Sequence, residues 1–164
     1  MATRAHIALY FGDSRVYLSR EFDGYPAATG ADIVFALSAA PLLPTDFLRG
    51  MLSIAYASDP SSVGQPIYEL TENLDRRTEW FYCVLFNGVN LPAVSIACAR
   101  RTPEQSALEV FHDISSSSYE TVHSFTKRVN ADRQQINRHR LALKQQNPEV
   151  YSDLPLYSEL KLPH

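Results

Sequence analysis

The chain has 164 residues, 15 Lys and Arg against 18 Asp and Glu, and a net charge of -3, with 45% hydrophobic and 20% charged residues. Those proportions exclude a disordered chain, the length is enough to bury one core, and the negative balance excludes a general attraction to nucleic acid. No apolar stretch approaches the ~20 residues that span a bilayer, and residues 1–6 lack the charged-then-apolar run of a signal peptide, so a cytoplasmic location and no membrane partner are expected.

Residues 4–11 alternate, with Ala5, Ile7, Leu9 and Phe11 on one face and Arg4, His6, Ala8 and Tyr10 on the other, which is the period of a half-buried strand. Gly12-Asp13 signals a turn and residues 14–20 resume the alternation, so the chain opens with an antiparallel hairpin. After Asp23-Gly24-Tyr25-Pro26 a helix is expected through Ile33, Val34 and Leu37, ended by Pro41 and Pro44. Thr45-Asp46 starts a second helix carrying Phe47, Leu48, Met51, Leu52 and Ile54. Residues 57–66 are rich in Ser, Pro and Gly and read as a surface loop.

Residues 67–70 make a weak strand, while the continuous apolar run 80–86 predicts a strand at the centre of the sheet. Asn87-Gly88 favours a type I′ turn into a returning strand over 93–99. Thr102-Pro103-Glu104 has the residue types of a helix start, predicting a helix to about Ile114 with Leu108 and Phe111 inward. Ser117-Ser118-Tyr119-Glu120 fits a capping box, predicting a long helix over 118–146. Its apolar residues Val122, Val129, Ile136 and Leu143 recur every seven positions, with Phe125 alongside, but Asp132 and His139 hold the places that follow Phe125. The expected fold is α+β: an antiparallel sheet of two hairpins, about four or five strands, with short helices and one long C-terminal helix. Residues 1–147 form one domain, followed over 148–164 by a Pro-, Leu- and Tyr-rich tail.

Cys83 and Cys98 fall in strand-like runs and read as core thiols. Neither has Cys or His companions at metal-ligand spacing, so no metal and no cofactor are expected. His112-Asp113 stands beside the serines 115–118, but no nucleophile motif surrounds them, and no catalytic residue is assigned.

Arg20-Glu21-Phe22-Asp23-Gly24-Tyr25-Pro26, with Gly30 four residues on and Met1-Ala2-Thr3-Arg4 at the start, resembles a family of small phage and mobile-element proteins. Those proteins begin Met-Ala/Gly-Thr-Arg and carry an aromatic-Asp-Gly-Tyr-Pro motif after the first strands. The resemblance covers about the first thirty residues. It implies a phage or mobile-element origin, hence the host cytoplasm, and brings no activity with it.

The residues of that motif admit two readings. They suit a strand-to-helix corner in which Asp23 accepts backbone hydrogen bonds, Gly24 takes a left-handed conformation and Tyr25 packs. They also suit a polar pocket where Asp23 and Tyr25, with Arg4 or Arg20, meet a ligand. Residues 127–144 hold Lys127, Arg128, Arg133, Arg138, Arg140 and Lys144 against Asp132 alone, a local +5 that leaves -8 for the remainder. That is either a solvated helix face or a surface for an acidic partner or nucleic acid. In the tail, Leu154, Leu156, Tyr157 and Leu160 predict docking, either on the chain's own domain or on a second copy in a homodimer.

Three functions follow as expectations. The first is a phage or mobile-element protein that binds a host protein or complex without catalysis, inhibiting a defence system in the manner of an anti-CRISPR. The second is a small-molecule enzyme or binder at the Asp23 corner, with Asp23 as acid or base. The third is a nucleic-acid-binding accessory protein using the basic helix.

Overall fold

The structure is a computed structural model and describes residues 3–38, 43–57, 61, 63–74, 77–87, 93–117 and 119–162. A six-stranded sheet runs in the order β3-β2-β1-β4-β5-β6, with β1 at Ala5–Phe11, β2 at Ser14–Arg20, β3 at Glu69–Leu70, β4 at Trp80–Asn87, β5 at Ala93–Arg100 and β6 at Glu120–Thr121. Both expected hairpins are present: β1 pairs antiparallel with β2, and β4 with β5. The tip of the second, residues 88–92, lies outside the described residues, as do Pro41 and Ser118. The hairpins join through β1 and β4, which run parallel with Ala5 opposite Trp80 and Phe11 opposite Phe86, so the sheet is mixed.

That joint makes β1 a central strand. Residues Ala5 to Leu9 are all buried, where the alternation had suggested one exposed face. Ala5, Ile7 and Leu9 face the larger core, built with Ile33, Phe47, Met51, Tyr82, Val84, Phe125 and Val129. Ala8 faces a smaller one with Phe81, Cys83, Ala97, Val110, Phe111 and Ile114. The sheet is therefore sandwiched, with α1 (Ala31–Leu37), α2 (Pro44–Leu52) and α4 (Val122–Gln146) on one side and α3 (Ala107–Ser117) on the other. Cys83 and Cys98 are unbridged, and burial pushes both thiols up to about 12.

Several helix starts differ from the expectation. Pro44 opens α2 instead of closing the helix before it, with the Asp46 carboxylate accepting from the Leu43 amide at 3.0 Å. Helix α3 begins at Ala107 because Ser106 and Glu109 form a reciprocal capping box: Ser106 Oγ accepts from the Glu109 amide and Glu109 Oε2 from the Ser106 amide, both at 3.2 Å. The shifted start turns Leu108 outward, 68% exposed, and puts Val110, Phe111 and Ile114 inside. The long helix begins at Val122, capped by the Thr121 hydroxyl, because Glu120 and Thr121 are taken by β6 against Ser95 and Ile96.

Helix α4 has 25 residues, about 37 Å at 1.5 Å per residue. Its buried residues are Phe125, Thr126, Val129 and Asn130, all in the first turns. From Ala131 onward the helix leaves the core and is half-buried at most. A short helix, α5 (Pro148–Tyr151), then reverses the chain and returns the tail along α4.

Candidate functional site

The segment that follows β2 is an internal joint. Asp23 takes the left-handed conformation expected of Gly24, with φ 58°. An aspartate tolerates it because its short polar side chain can bond locally. Gly24 is required for another reason: a Cβ there would stand 2.7 Å from the Arg4 carbonyl carbon and 2.8 Å from its oxygen. The close approach is held by the Gly24 amide donating to Thr3 O at 2.7 Å and the Tyr82 hydroxyl donating to Gly24 O at 2.6 Å.

Arg20, at the end of β2, is buried and points into a triangle. Its Nη1 donates to Asp32 Oδ2 at 3.0 Å and to the Tyr68 hydroxyl at 2.7 Å, and that hydroxyl donates to Asp32 Oδ2 at 2.7 Å. Its Nε donates to Phe22 O, and Asp23 stands 3.9 Å from Nη2. Burial alone would lower the Arg20 pKa; Tyr68 and Asp32 more than offset it and hold the guanidinium charged. Arg4 lines a cleft of about 130 Å³ with His6, Arg20 and Thr78.

Pro26 to Gly30 form one π-helical turn lying against α4. Asp132 and Arg133 clip both polar groups of a single residue there: Asp132 Oδ2 accepts from the Ala27 amide and Arg133 Nε donates to Ala27 O, each at 2.8 Å. Asp132, which interrupts the apolar stripe in sequence, thus satisfies a backbone donor that no helix bond would. Gly30 leaves room for the buried Val129, whose Cγ2 would be 2.7 Å from an added Cβ.

The tail docks on the other flank of α4 in extended form. Asn130 pairs with Leu160, its Oδ1 accepting from the Leu160 amide at 2.7 Å and its Nδ2 donating to Leu160 O at 2.9 Å. Asn137 repeats the arrangement on Tyr157, both bonds at 2.8 Å. Arg133 Nη1 donates to Ser158 O at 2.8 Å, and Arg140 Nη1 donates to Pro155 O. These guanidiniums also flank the Tyr157 ring, 4.8 and 4.9 Å from its centroid. Burial lowers the Arg133 pKa below its usual value. The Tyr157 hydroxyl meets that of Tyr25, which donates in turn to Asp23 Oδ1 at 3.1 Å.

The structure therefore joins three segments that the sequence presents separately. Asp23 and Tyr25 of the corner, Arg133 and Arg140 of the basic helix and Tyr157 of the tail form one clamp. Arg128 is turned elsewhere, bound to Glu120 of β6 at 2.8 Å, while Lys127 and Arg138 are exposed and Lys144 is half-exposed. The basic residues thus do not form one uniform surface. In the tail, Leu160 packs on the core and Leu154 is half-buried, whereas Leu156 is 45% exposed. Asn130, Asn137, Asp32 and Tyr68 carry much of this arrangement without having stood out in sequence. The available signal is the seven-residue spacing shared by Asn130 with Asn137 and by Arg133 with Arg140.

Around His112, Asp113 accepts from Gln105 at 3.2 Å, and the side chains of residues 115–118 lie outside the described ones. Among the described residues no three His, Cys, Asp or Glu side chains stand together as metal ligands would, and no helix is long and apolar enough to cross a membrane. Comparisons with protein-family models, curated proteins and solved structures found no match to this chain.

Proposed function

We propose that this protein works by binding, without catalysis, to a host protein or protein complex, and that its docking surface is the arm made by the outer part of α4, α5 and the tail. The phage or mobile-element origin implied by the N-terminal motif makes inhibition of a host defence system the role such binding would serve. The observation that carries the reading is the clamp itself. It fixes an extended segment along a helix that has left the core, and it leaves Leu141 44%, Val150 65% and Leu156 45% exposed on that ordered scaffold. A surface ordered before association loses less conformational entropy on binding.

Two observations weigh against the other readings. The Tyr25 hydroxyl and the Asp23 carboxylate bond to each other and, through Tyr157, to the tail, which gives the corner a structural task. A cleft of about 540 Å³ beside α4 is lined by Arg100, Arg128, Arg138 and Trp80, but Arg100 and Arg128 stand in ion pairs with Glu79 and Glu120, which offset the charge a polyanion would need.

The test is capture from host lysate by the tagged chain and by a Leu141→Asp/Leu156→Asp variant, read by mass spectrometry. A protein retained by the native chain and by Asp23→Asn but lost from the double variant is the expected result. Equal capture by both, or no capture at all, overturns the proposal.

A further inference from the structure

The contacts that hold the tail have a common register. From Asn130 to Asn137 the helix advances seven residues, while its partner moves three residues back, from Leu160 to Tyr157. From Arg133 to Arg140 the same seven residues answer Ser158 to Pro155, again three. Seven helical residues rise about 10.5 Å, and three extended residues cover about 10 Å. The two periods match, so α4 presents a repeating ladder of amide and guanidinium groups to an antiparallel extended strand.

What the ladder reads is backbone. Both asparagines bond the N–H and C=O of one tail residue, as a neighbouring strand would, and both arginines donate to main-chain carbonyls. Of the side chains, Leu160 packs on the core, and Tyr157 is gripped between the guanidiniums and against the Tyr25 hydroxyl. The groove is a built site for an extended peptide with a tyrosine at one position.

None of these contacts depends on which copy of the chain supplies the strand. The connection that makes the tail fold back on its own helix is one short turn: Asn147 leaves helical geometry at φ -145° and ψ 79°, its carbonyl accepting from the Val150 and Tyr151 amides, Pro148 cannot continue the ladder of α4, and α5 buries no residue. We propose that this groove is also an intermolecular site, and that its partner is a second copy of this chain, each copy seating its 153–162 segment on the other's α4 in a reciprocal dimer. Opening the hinge at residues 147–152 is the conformational change required, and every tail contact is recovered across the pair. Docking in cis is favoured at low concentration, where the tether supplies a high local concentration, and exchange is favoured as protein concentration rises. The exchange stands independently of the host partner proposed above.

Complementation tests it. Asn137→Ala/Arg140→Ala disables the groove and leaves the tail intact. Tyr157→Pro disables the tail, removing both the ring and the amide that bonds Asn137, and leaves the groove intact. An intact tail and an intact groove then meet only between copies. The expected result is a species of twice the 18.5 kDa chain mass in the mixture, by light scattering, with neither variant forming it alone. Single-chain mass throughout overturns the proposal, and so does a dimer formed equally by each variant alone, which would place the contact on another surface. Should either variant fail to fold, as judged by circular dichroism, the native chain prepared with two labels and mixed at high concentration decides the matter: mixed-label dimers support exchange and their absence overturns it.

Discussion

The hydroxyls of Tyr25 and Tyr157 meet at 3.2 Å across 132 residues of sequence. The direction of the bond follows from proton count. Tyr25 has one hydroxyl proton and gives it to Asp23 Oδ1, so Tyr157 is the donor to Tyr25. A relay from tail to corner results, ending on a carboxylate whose residue sits in the left-handed conformation. The corner at Asp23 and Tyr25 is the far wall of the tail's groove.

Replacing Tyr157 separates the parts of that clamp. Tyr157→Phe keeps the ring between Arg133 and Arg140 and loses the hydroxyl bond, which should cost about 1 kcal/mol. Tyr157→Ala loses the two cation–π contacts as well and should cost about 2–3 kcal/mol. Urea denaturation measures both, and limited proteolysis should cut the tail of the alanine variant first. Equal stability of the two variants would show that the arginines do not hold the ring.

Gly24 and Gly12 make a paired test of why glycine is needed. At Gly12, φ is +58° and nothing lies within 4 Å of an added Cβ, so Gly12→Ala meets only the backbone preference, about 1 kcal/mol. At Gly24 the Cβ would press on the Arg4 backbone, which cannot rotate away, and Gly24→Ala should cost about 3 kcal/mol or more. Thermal unfolding should rank Gly24→Ala well below Gly12→Ala, and the reverse order would refute the close approach.

The sheet was legible where a strand's own residues determine its fate. The alternation in β1 and β2 and the apolar run in β4 come from side-chain burial, which composition records. The parallel pairing of β1 with β4 was not, because nothing local distinguishes a strand paired parallel from one paired antiparallel. β3 falls inside the weak strand expected over 67–70, while the two-residue β6 is too short to carry a period. The outward turn of Leu108 was not legible because Thr102-Pro103-Glu104 and Ser106 to Glu109 both resemble helix starts, and a shift of a few residues rotates the helix face. The clamp was half legible: Tyr157, Arg133 and Arg140 stood out by type, while Asn130 and Asn137 work through amide geometry that hydrophobic patterning does not register.

The triangle of Arg20, Asp32 and Tyr68 is a part-buried ionic group. Arg20 is 7% exposed and Asp32 29%, so solvent screens the pair in part. Asp32→Ala removes the nearer carboxylate, leaving the guanidinium with Tyr68, the Phe22 carbonyl and the more distant Asp23, and should cost about 2–4 kcal/mol, below the upper range for a fully buried pair. Asp32→Asn retains an acceptor and should cost less. Denaturation midpoints of the two variants check the order, and a neutral Asp32→Ala would mean that Arg20 reaches solvent in its place.

Alkaline pH offers a test on buried groups that are not part of the clamp. Burial raises the hydroxyls of Tyr68 and Tyr82 above the usual value of 10.0 and raises the Cys83 and Cys98 thiols from 9.0 to about 12. Each neutral form is favoured by folding, so between the unfolded and folded pKa values the unfolded chain has lost protons that the native state still holds. Stability is then full below about pH 9 and falls as pH rises, by up to about 1.4 kcal/mol per unit for each group. Urea midpoints from about pH 8 to about pH 11 should decline first on account of the thiols and more steeply once the tyrosines join. The Cys83→Ala/Cys98→Ala variant should keep its midpoint level to about pH 10 before declining, whereas an unchanged onset in that variant would take the thiols out of the account.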